Sequence, residues 1–230
     1  MLYFFTTYYI SSNKERQREL EYCLKKNMEN RYITKIYLLN NEIFNLDFIN
    51  DSEQKIVQVI IDDSPTYKLK FSDAIQYINL NFYNEICILS NTDIYFDETI
   101  ARINYENIKN KMFALLRYDL ADDYTTMQIF TEWDVPRADS QDSWTFVSPL
   151  KINYNDINFE FGTLGCDSIF AAKVSDTGIT VSNPSLDIVS VHVHASNFRT
   201  YNADNRIHGT YLMIEPCKLE ETSKLRTMEY

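Results

Sequence analysis

The chain has 230 residues, 45% hydrophobic and 24% charged, with a formal net charge of -11. That length supports one sizeable domain with a real core, and that hydrophobic share excludes a disordered chain. The acidic balance disfavours nucleic acid or an anionic membrane as the main partner, because both are met by basic faces. A phosphate ligand stays open, since a bound cation reverses the local field.

Only 4 Gly and 5 Pro accompany 17 Tyr and 14 Phe, which suits regular elements with few flexible linkers. Cys23, Cys87, Cys166 and Cys217 are widely spaced, with no C-x-x-C pair. Buried free thiols in a reducing compartment are therefore expected. Met1-Leu-Tyr-Phe-Phe5 is too short for a signal peptide and lacks the basic leader. No apolar run reaches the ~18 residues of a membrane span. The expectation is a cytoplasmic protein with no transmembrane segment.

Residues 2–10 read as an aromatic-rich first strand that breaks at Ser11-Ser12-Asn13. Ser12 or Asn13 can cap a helix over residues 14–28, with Glu15 near its positive end. Leu20, Cys23, Leu24 and Met28 give that helix its i, i+3, i+4 stripe. Residues 35–39 and 56–61 read as strands that end in Asn40-Asn41 and Asp62-Asp63. Phe71, Ala74, Ile75 and Ile78 mark a second amphipathic helix. Ile86-Cys-Ile-Leu89 is apolar on both faces and reads as a buried central strand, with Ser90-Asn-Thr-Asp93 at its carboxyl end. Strands alternating with helices imply βαβ units and a mostly parallel sheet. Right-handed crossovers then bring Thr6-Thr7, Asn40-Asn41, Asp62-Asp63 and Asn91-Thr92-Asp93 to one crevice.

Beyond residue 110 the texture changes. Residues 112–118 read as a strand. Residues 121–142 form a long polar loop with at most a short hairpin, and loops of that length are often lids. Residues 144–150 are strand-like. Gly162-Thr-Leu-Gly-Cys-Asp167 turns into a helix over 168–175, and residues 179–182 and 189–193 read as strands. Past Pro216 the chain is charged, a loose helix or a linker.

Asp93 is either a hard oxygen ligand offered at a strand end or an ordinary turn residue. His192 and His194, two of only 3 histidines, share a face if extended. They form either part of a metal site or a pair satisfied by hydrogen bonds. Asp167 is either a carboxylate aimed at the crevice, able to serve as a general base, or an N-cap. Asp142 is a second such carboxylate or a solvated loop residue. Arg199 either reaches a phosphate or lies on the surface. Arg16 and Lys68 are weaker phosphate candidates, better explained as solvated helix charges. Gly162 and Gly165 form neither a P-loop nor a GxGxxG fingerprint.

Several segments together resemble a known family. They are Phe5-Thr-Thr-Tyr-Tyr9, the E-R-x-x-E-L-x-x-C-L helix beginning at Glu15, Ser90-Asn-Thr-Asp-Ile-Tyr-Phe-Asp97, Ala114-Leu-Leu-Arg-Tyr-Asp119, Ser140-Gln-Asp-Ser-Trp144, Gly165-Cys-Asp167, and Asn183-Pro-Ser-Leu-Asp-Ile188 leading into His192-Val-His194. In order and spacing they resemble the small GT-A-type glycosyltransferase domains of large DNA viruses, notably chlorella viruses, and of some bacteria. The resemblance runs over roughly residues 2–215. It implies a GT-A-like, Rossmann-like α/β domain over residues 1–216, with a nucleotide-binding half (1–100) and an acceptor or sugar half (101–216), followed by a charged tail (217–230).

The resemblance also implies a nucleotide-diphosphate-sugar donor (UDP-sugar favoured), a glycan or other hydroxyl acceptor, and Mn²⁺ or Mg²⁺. The D-x-D-type motif appears here as Asn91-Thr92-Asp93, so only Asp93 keeps the carboxylate. His194, with His192 as alternate, matches the late-strand metal ligand. Thr6, Thr7 and Tyr8 match the segment that meets the base, and Asp142 and Asp167 match the sugar and acceptor carboxylates. Ser64 stands where an arginine is expected. The alternatives are a sugar nucleotidyltransferase, for which Ser11-Ser12-Asn13 offers no basic Gly-rich loop, and a non-catalytic sugar-nucleotide-binding module.

Overall fold

The computed structural model describes residues 1–121, 124–196, 198 and 203–230. Its strands and helices follow from local chemistry. β1 (Leu2–Thr6) leads through a loop to α1 (Lys14–Glu29), whose N-cap is Asn13; the Asn13 side chain accepts from the Glu15 and Arg16 amides. At the other end of α1 the Lys55 ammonium donates to the Met28 and Asn30 carbonyls at 2.6 and 2.7 Å, supplying partners that a helix end lacks. β2 (Lys35–Asn40), β3 (Ile56–Ile60), α2 (Phe71–Asn81) and β4 (Ile86–Ser90) follow.

Next come β5 (Ile94–Phe96), the short α3 (Tyr105–Ile108), β6 (Lys111–Leu115), β7 (Tyr118–Leu120), β8 (Met127–Ile129) and the β9–β10 hairpin (Thr131–Glu132, Val135–Pro136). The chain closes with β11 (Ser143–Val147), α4 (Cys166–Asp176), β12 (Thr180–Ser182), β13 (Ser190–His192), β14 (Thr210–Ile214) and β15 (Leu225–Glu229).

The main sheet has seven strands in the order β12-β6-β11-β4-β1-β2-β3. Every pairing is parallel except those of β11, which runs antiparallel to both β4 and β6. The mostly parallel α/β sheet expected from the sequence is present. The reversal of β11 has a functional consequence, because it brings Asp142 and Ser143, at the start of that strand, to the carboxyl end of β4: Ser143 pairs with Ser90, and the Asn91 amide donates to the Asp142 carbonyl at 3.0 Å.

Period-two alternation divides the core. Phe5, Cys87, Leu89, Trp144 and Phe146 face one side, where α2 and α4 contribute Ala74, Ile75, Ile78 and Phe170. Phe4, Ile86 and Ile88 face the other, against Leu20 and Leu24 of α1 and Ile108 of α3. The domain is thus a sheet flanked by helices on both faces. All four cysteines are buried and free. Among the described residues no helix is long and apolar enough to cross a membrane.

Four expectations change. The stretch 121–142 is more than a loop with one short hairpin, because β8 pairs antiparallel with β7 ahead of the β9–β10 hairpin. The first strand ends at Thr6, not Ile10, because Tyr8 turns inward and its amide donates to Asn40 Oδ1 at 2.8 Å. The strand expected over 112–118 divides at Leu116–Arg117, where the chain leaves the main sheet for a small second sheet, β5-β13-β7-β8; there the Leu116 amide donates to Asn183 Oδ1 rather than to a strand neighbour. The charged tail is neither helix nor linker: β15 pairs antiparallel with β14, and Ser223 accepts from the buried Asn183 amide at 2.7 Å.

Candidate metal and transfer site

The centre lies where the main sheet changes direction, outside the carboxyl ends of β1 and β4, the usual place for ligands in open α/β sheets. Asp93 follows β4. His192 ends β13, and His194 continues the same extended run, anchored by the Val193 amide donating to the Asp93 carbonyl at 3.0 Å. Because the side-chain period is two, both imidazoles share a face, with ring centroids 5.3 Å apart and planes within 9°. Asp93, His192 and His194 each offer a ligand atom, and these atoms all lie within 4.8 Å of one another.

Around that triad runs a connected series of charges. Asp93 Oδ2 accepts from Arg16 Nη2 at 2.6 Å and from His192 Nε2 at 3.2 Å. On its other ring nitrogen His192 meets Asp119 Oδ1 at 2.9 Å. Both of its partners are carboxylates, so both nitrogens donate and the ring is cationic. Burial works against that charge, but Asp93 and Asp119 outweigh it and push the ring up to about 9. Burial likewise pushes Asp93 up, yet the charge and hydrogen bond of His192, then the neighbouring His194 and the Arg16 charge, hold this carboxylate well below its usual range. Arg117 joins Asp119 (2.9 Å) to Asp142 (2.9 Å). Asp142 also accepts from Asn91 Nδ2 at 2.8 Å.

Asp142 is therefore a buried, doubly held carboxylate and not a solvated loop residue. Asp167 is not an N-cap: that position belongs to Gly165, whose φ of 88° lies in the left-handed region, and Asp167 sits in the first turn of α4. Its Oδ2 accepts from the Gln141 amide at 3.1 Å. Burial first, and then the neighbouring charge of Asp142, push Asp167 up to about 7.

The remaining residues expected at the site are placed as follows. Thr6 and Tyr8 are buried, and the ring of Tyr8 packs against Phe44 and Phe48, so it offers no free face to a base. Thr7 is partly exposed and donates to Asn40 Oδ1 at 3.2 Å. Thr92 is partly exposed between Asn91 and Asp93. Lys68 is an exposed charge paired with Glu160 at 3.5 Å. Arg199 lies outside the described residues. The residue that the sequence undervalued is Arg16: its side chain is only 9% exposed and makes the shortest contact to Asp93. Its signal was present, since Arg16 and Glu19 occupy the same i, i+3, i+4 stripe as Leu20, Cys23 and Leu24.

The donor set fits a cation. One carboxylate and two imidazoles suit a first-row divalent ion, with imidazole shifting preference away from Mg²⁺. His194 Nε2 is also buried without a hydrogen-bond partner among the described residues.

No protein-family model matches the chain, and no curated protein matches it. Among solved structures it is similar to a protein assigned as a glucose-1-phosphate thymidylyltransferase from Bacillus anthracis, solved with sucrose. The identity is 11% and the TM-score 0.48, over 88% of this chain and 98% of that one. It is also similar to 4-diphosphocytidyl-2C-methyl-D-erythritol synthase, at 11% identity and TM-score 0.41, over 89% and 94%. At that level the likeness bears on neither activity nor substrate. The first name matches the nucleotidyltransferase alternative rather than glycosyl transfer.

Proposed function

We propose that the chain is a divalent-cation-dependent transferase acting at the diphosphate of a nucleotide sugar, with glycosyl transfer to a hydroxyl acceptor as its reaction. The observation that carries this reading is the meeting of Asp93, from the end of the middle strand, with His192 and His194, from near the end of the chain. These three residues would hold the ion once His192 has given up a proton, and when bound the ion supplies Lewis-acid stabilisation of charge on the departing nucleoside diphosphate.

The protein's own groups supply the rest. Arg117 and Asn91 fix Asp142, and the charge of Asp142 helps hold Asp167 near neutrality. A carboxyl group with a pKa near working pH is suited to take a proton from an acceptor hydroxyl. Asp167 is assigned that role, with Asp142 positioning the sugar or acceptor. Thr7 and Thr92, partly exposed at the same edge, are the nucleotide contacts.

The second reading is sugar nucleotidyl transfer, the activity named for the Bacillus anthracis protein. Against it stands the stretch after β1, Thr7-Tyr-Tyr-Ile-Ser-Ser-Asn13, which contains no glycine, lysine or arginine to cradle a triphosphate. One assay separates the two. The protein is incubated with Mn²⁺ and either a panel of UDP-, GDP- and dTDP-sugars or nucleoside triphosphates plus sugar 1-phosphates, with products identified by mass spectrometry. Release of nucleoside diphosphate from one donor, lost in Asp93→Ala and His194→Ala, is expected. Pyrophosphate from a triphosphate would establish the second reading. Wild-type rates in both variants would end the assignment.

A further inference from the structure

The Arg16 guanidinium touches two of the three candidate ligand atoms, at 2.6 Å from Asp93 Oδ2 and 2.7 Å from His194 Nδ1. Arginine only donates hydrogen bonds. His194 Nδ1 therefore accepts, and its lone pair points at Arg16. In that tautomer the proton sits on Nε2, which is buried and has no hydrogen-bond partner among the described residues. His194 Nδ1 and Asp93 Oδ2 are 3.8 Å apart, and donors around one divalent ion typically sit ~2.0–2.2 Å from it. A guanidinium lying against both donors fills the space such an ion needs.

We infer that Arg16 is a tethered cation occupying the metal seat, so that a divalent ion binds only by displacing it. This rests on the metal reading of the Asp93–His192–His194 centre. The geometry supplies a resting place for the displaced side chain. Arg16 Nη1 also donates to Glu19 Oε2 at 3.1 Å. Glu19 is itself fixed by the Ser196 amide and hydroxyl at 2.6 and 3.0 Å. On that side a groove is lined by Glu15, Arg18, Glu19 and Ser196. Arg16 can swing toward Glu19 without becoming an unpaired buried charge. While in place it also selects the histidine tautomer whose Nδ1 lone pair a metal requires. The consequence is a weak site in the free protein, ready in geometry and held against stray ions.

The test is isothermal titration of the full chain with MnCl₂ alone, in the wild type, Arg16→Gln and Arg16→Lys, with thermal unfolding of each protein as the fold control. Arg16→Gln should bind Mn²⁺ about tenfold or more tighter than wild type, a difference of ~1.4 kcal/mol or more. Arg16→Lys, a point charge that cannot span both donors, should fall between. Equal or weaker binding by Arg16→Gln overturns the inference and leaves the metal centre standing. If wild type and Arg16→Gln both melt cooperatively and neither binds Mn²⁺, the metal centre itself fails. Should Arg16→Gln not melt cooperatively, Arg16→Lys decides: tighter binding than wild type supports the inference, equal or weaker binding overturns it.

Discussion

Asp167→Asn isolates the carboxylate assigned as the base. In the folded protein this group is pushed up to about 7 from an ordinary 3.8, by burial first and then by Asp142. A raised folded-state pKa means that the fold favours the protonated form. Its stabilising contribution is fully present below about pH 4 and is lost as pH rises through 7. At ~1.36 kcal/mol per unit, about three units set a ceiling near 4 kcal/mol. Asp167 retains some exposure, so solvent screening reduces the expected value to roughly 2 kcal/mol. Asparagine keeps an oxygen for the Gln141 amide but does not ionise. Urea unfolding followed by circular dichroism at pH 4.5 and pH 8 should show Asp167→Asn gaining on wild type by that amount at the higher pH. Asp142→Asn should shrink the same pH-dependent difference. A gap between wild type and Asp167→Asn that stays flat across this range would mean that Asp167 does not carry a raised pKa in the folded protein.

Three further changes test the surrounding structure. Lys55→Met removes the ammonium that caps the last carbonyls of α1, and chemical denaturation should show a loss of roughly 2 kcal/mol. Gly165→Ala should destabilise by more than about 1 kcal/mol, because it adds a Cβ at a left-handed φ, and that Cβ would overlap the Tyr211 hydroxyl; the readout is Tm. Arg117→Met leaves Asp142 and Asp119 without their shared partner. Loss of one partner of a buried pair costs about 3–5 kcal/mol, visible as a lower denaturant midpoint together with lost transfer activity.

The half of the fold made from local patterns was legible in the sequence. β1, α1, β2, β3, α2 and β4 each carry their own period or apolar run, and the Asn13 cap marks where α1 begins. β5, β7 and β8 were not: each is three residues long, lies outside any apolar run that the sequence sets apart as a strand, and exists through pairing with β13 or with each other. β15 escaped for the same reason: its polar sequence acquires strand geometry only against β14. At the site, Asp93 and the two histidines were flagged by residue type and position. The environments of Asp142 and Asp167 were not, since they depend on the reversal of β11, which no single segment encodes. In the sequence Arg16 reads only as a weak phosphate candidate, because a charge on an amphipathic helix is ordinarily solvated. Here it is drawn inward by Asp93, 77 residues away.

Asp93 and the late histidines are proposed to hold one cation. Crystals grown with MnCl₂ and UDP, with data collected at a wavelength where manganese scatters anomalously, test it directly. A single strong anomalous peak in contact with Asp93 and His194 is expected, with the Arg16 side chain moved toward Glu19. Manganese bound elsewhere, or no peak with Arg16 still bridging Asp93 and His194, would contradict it.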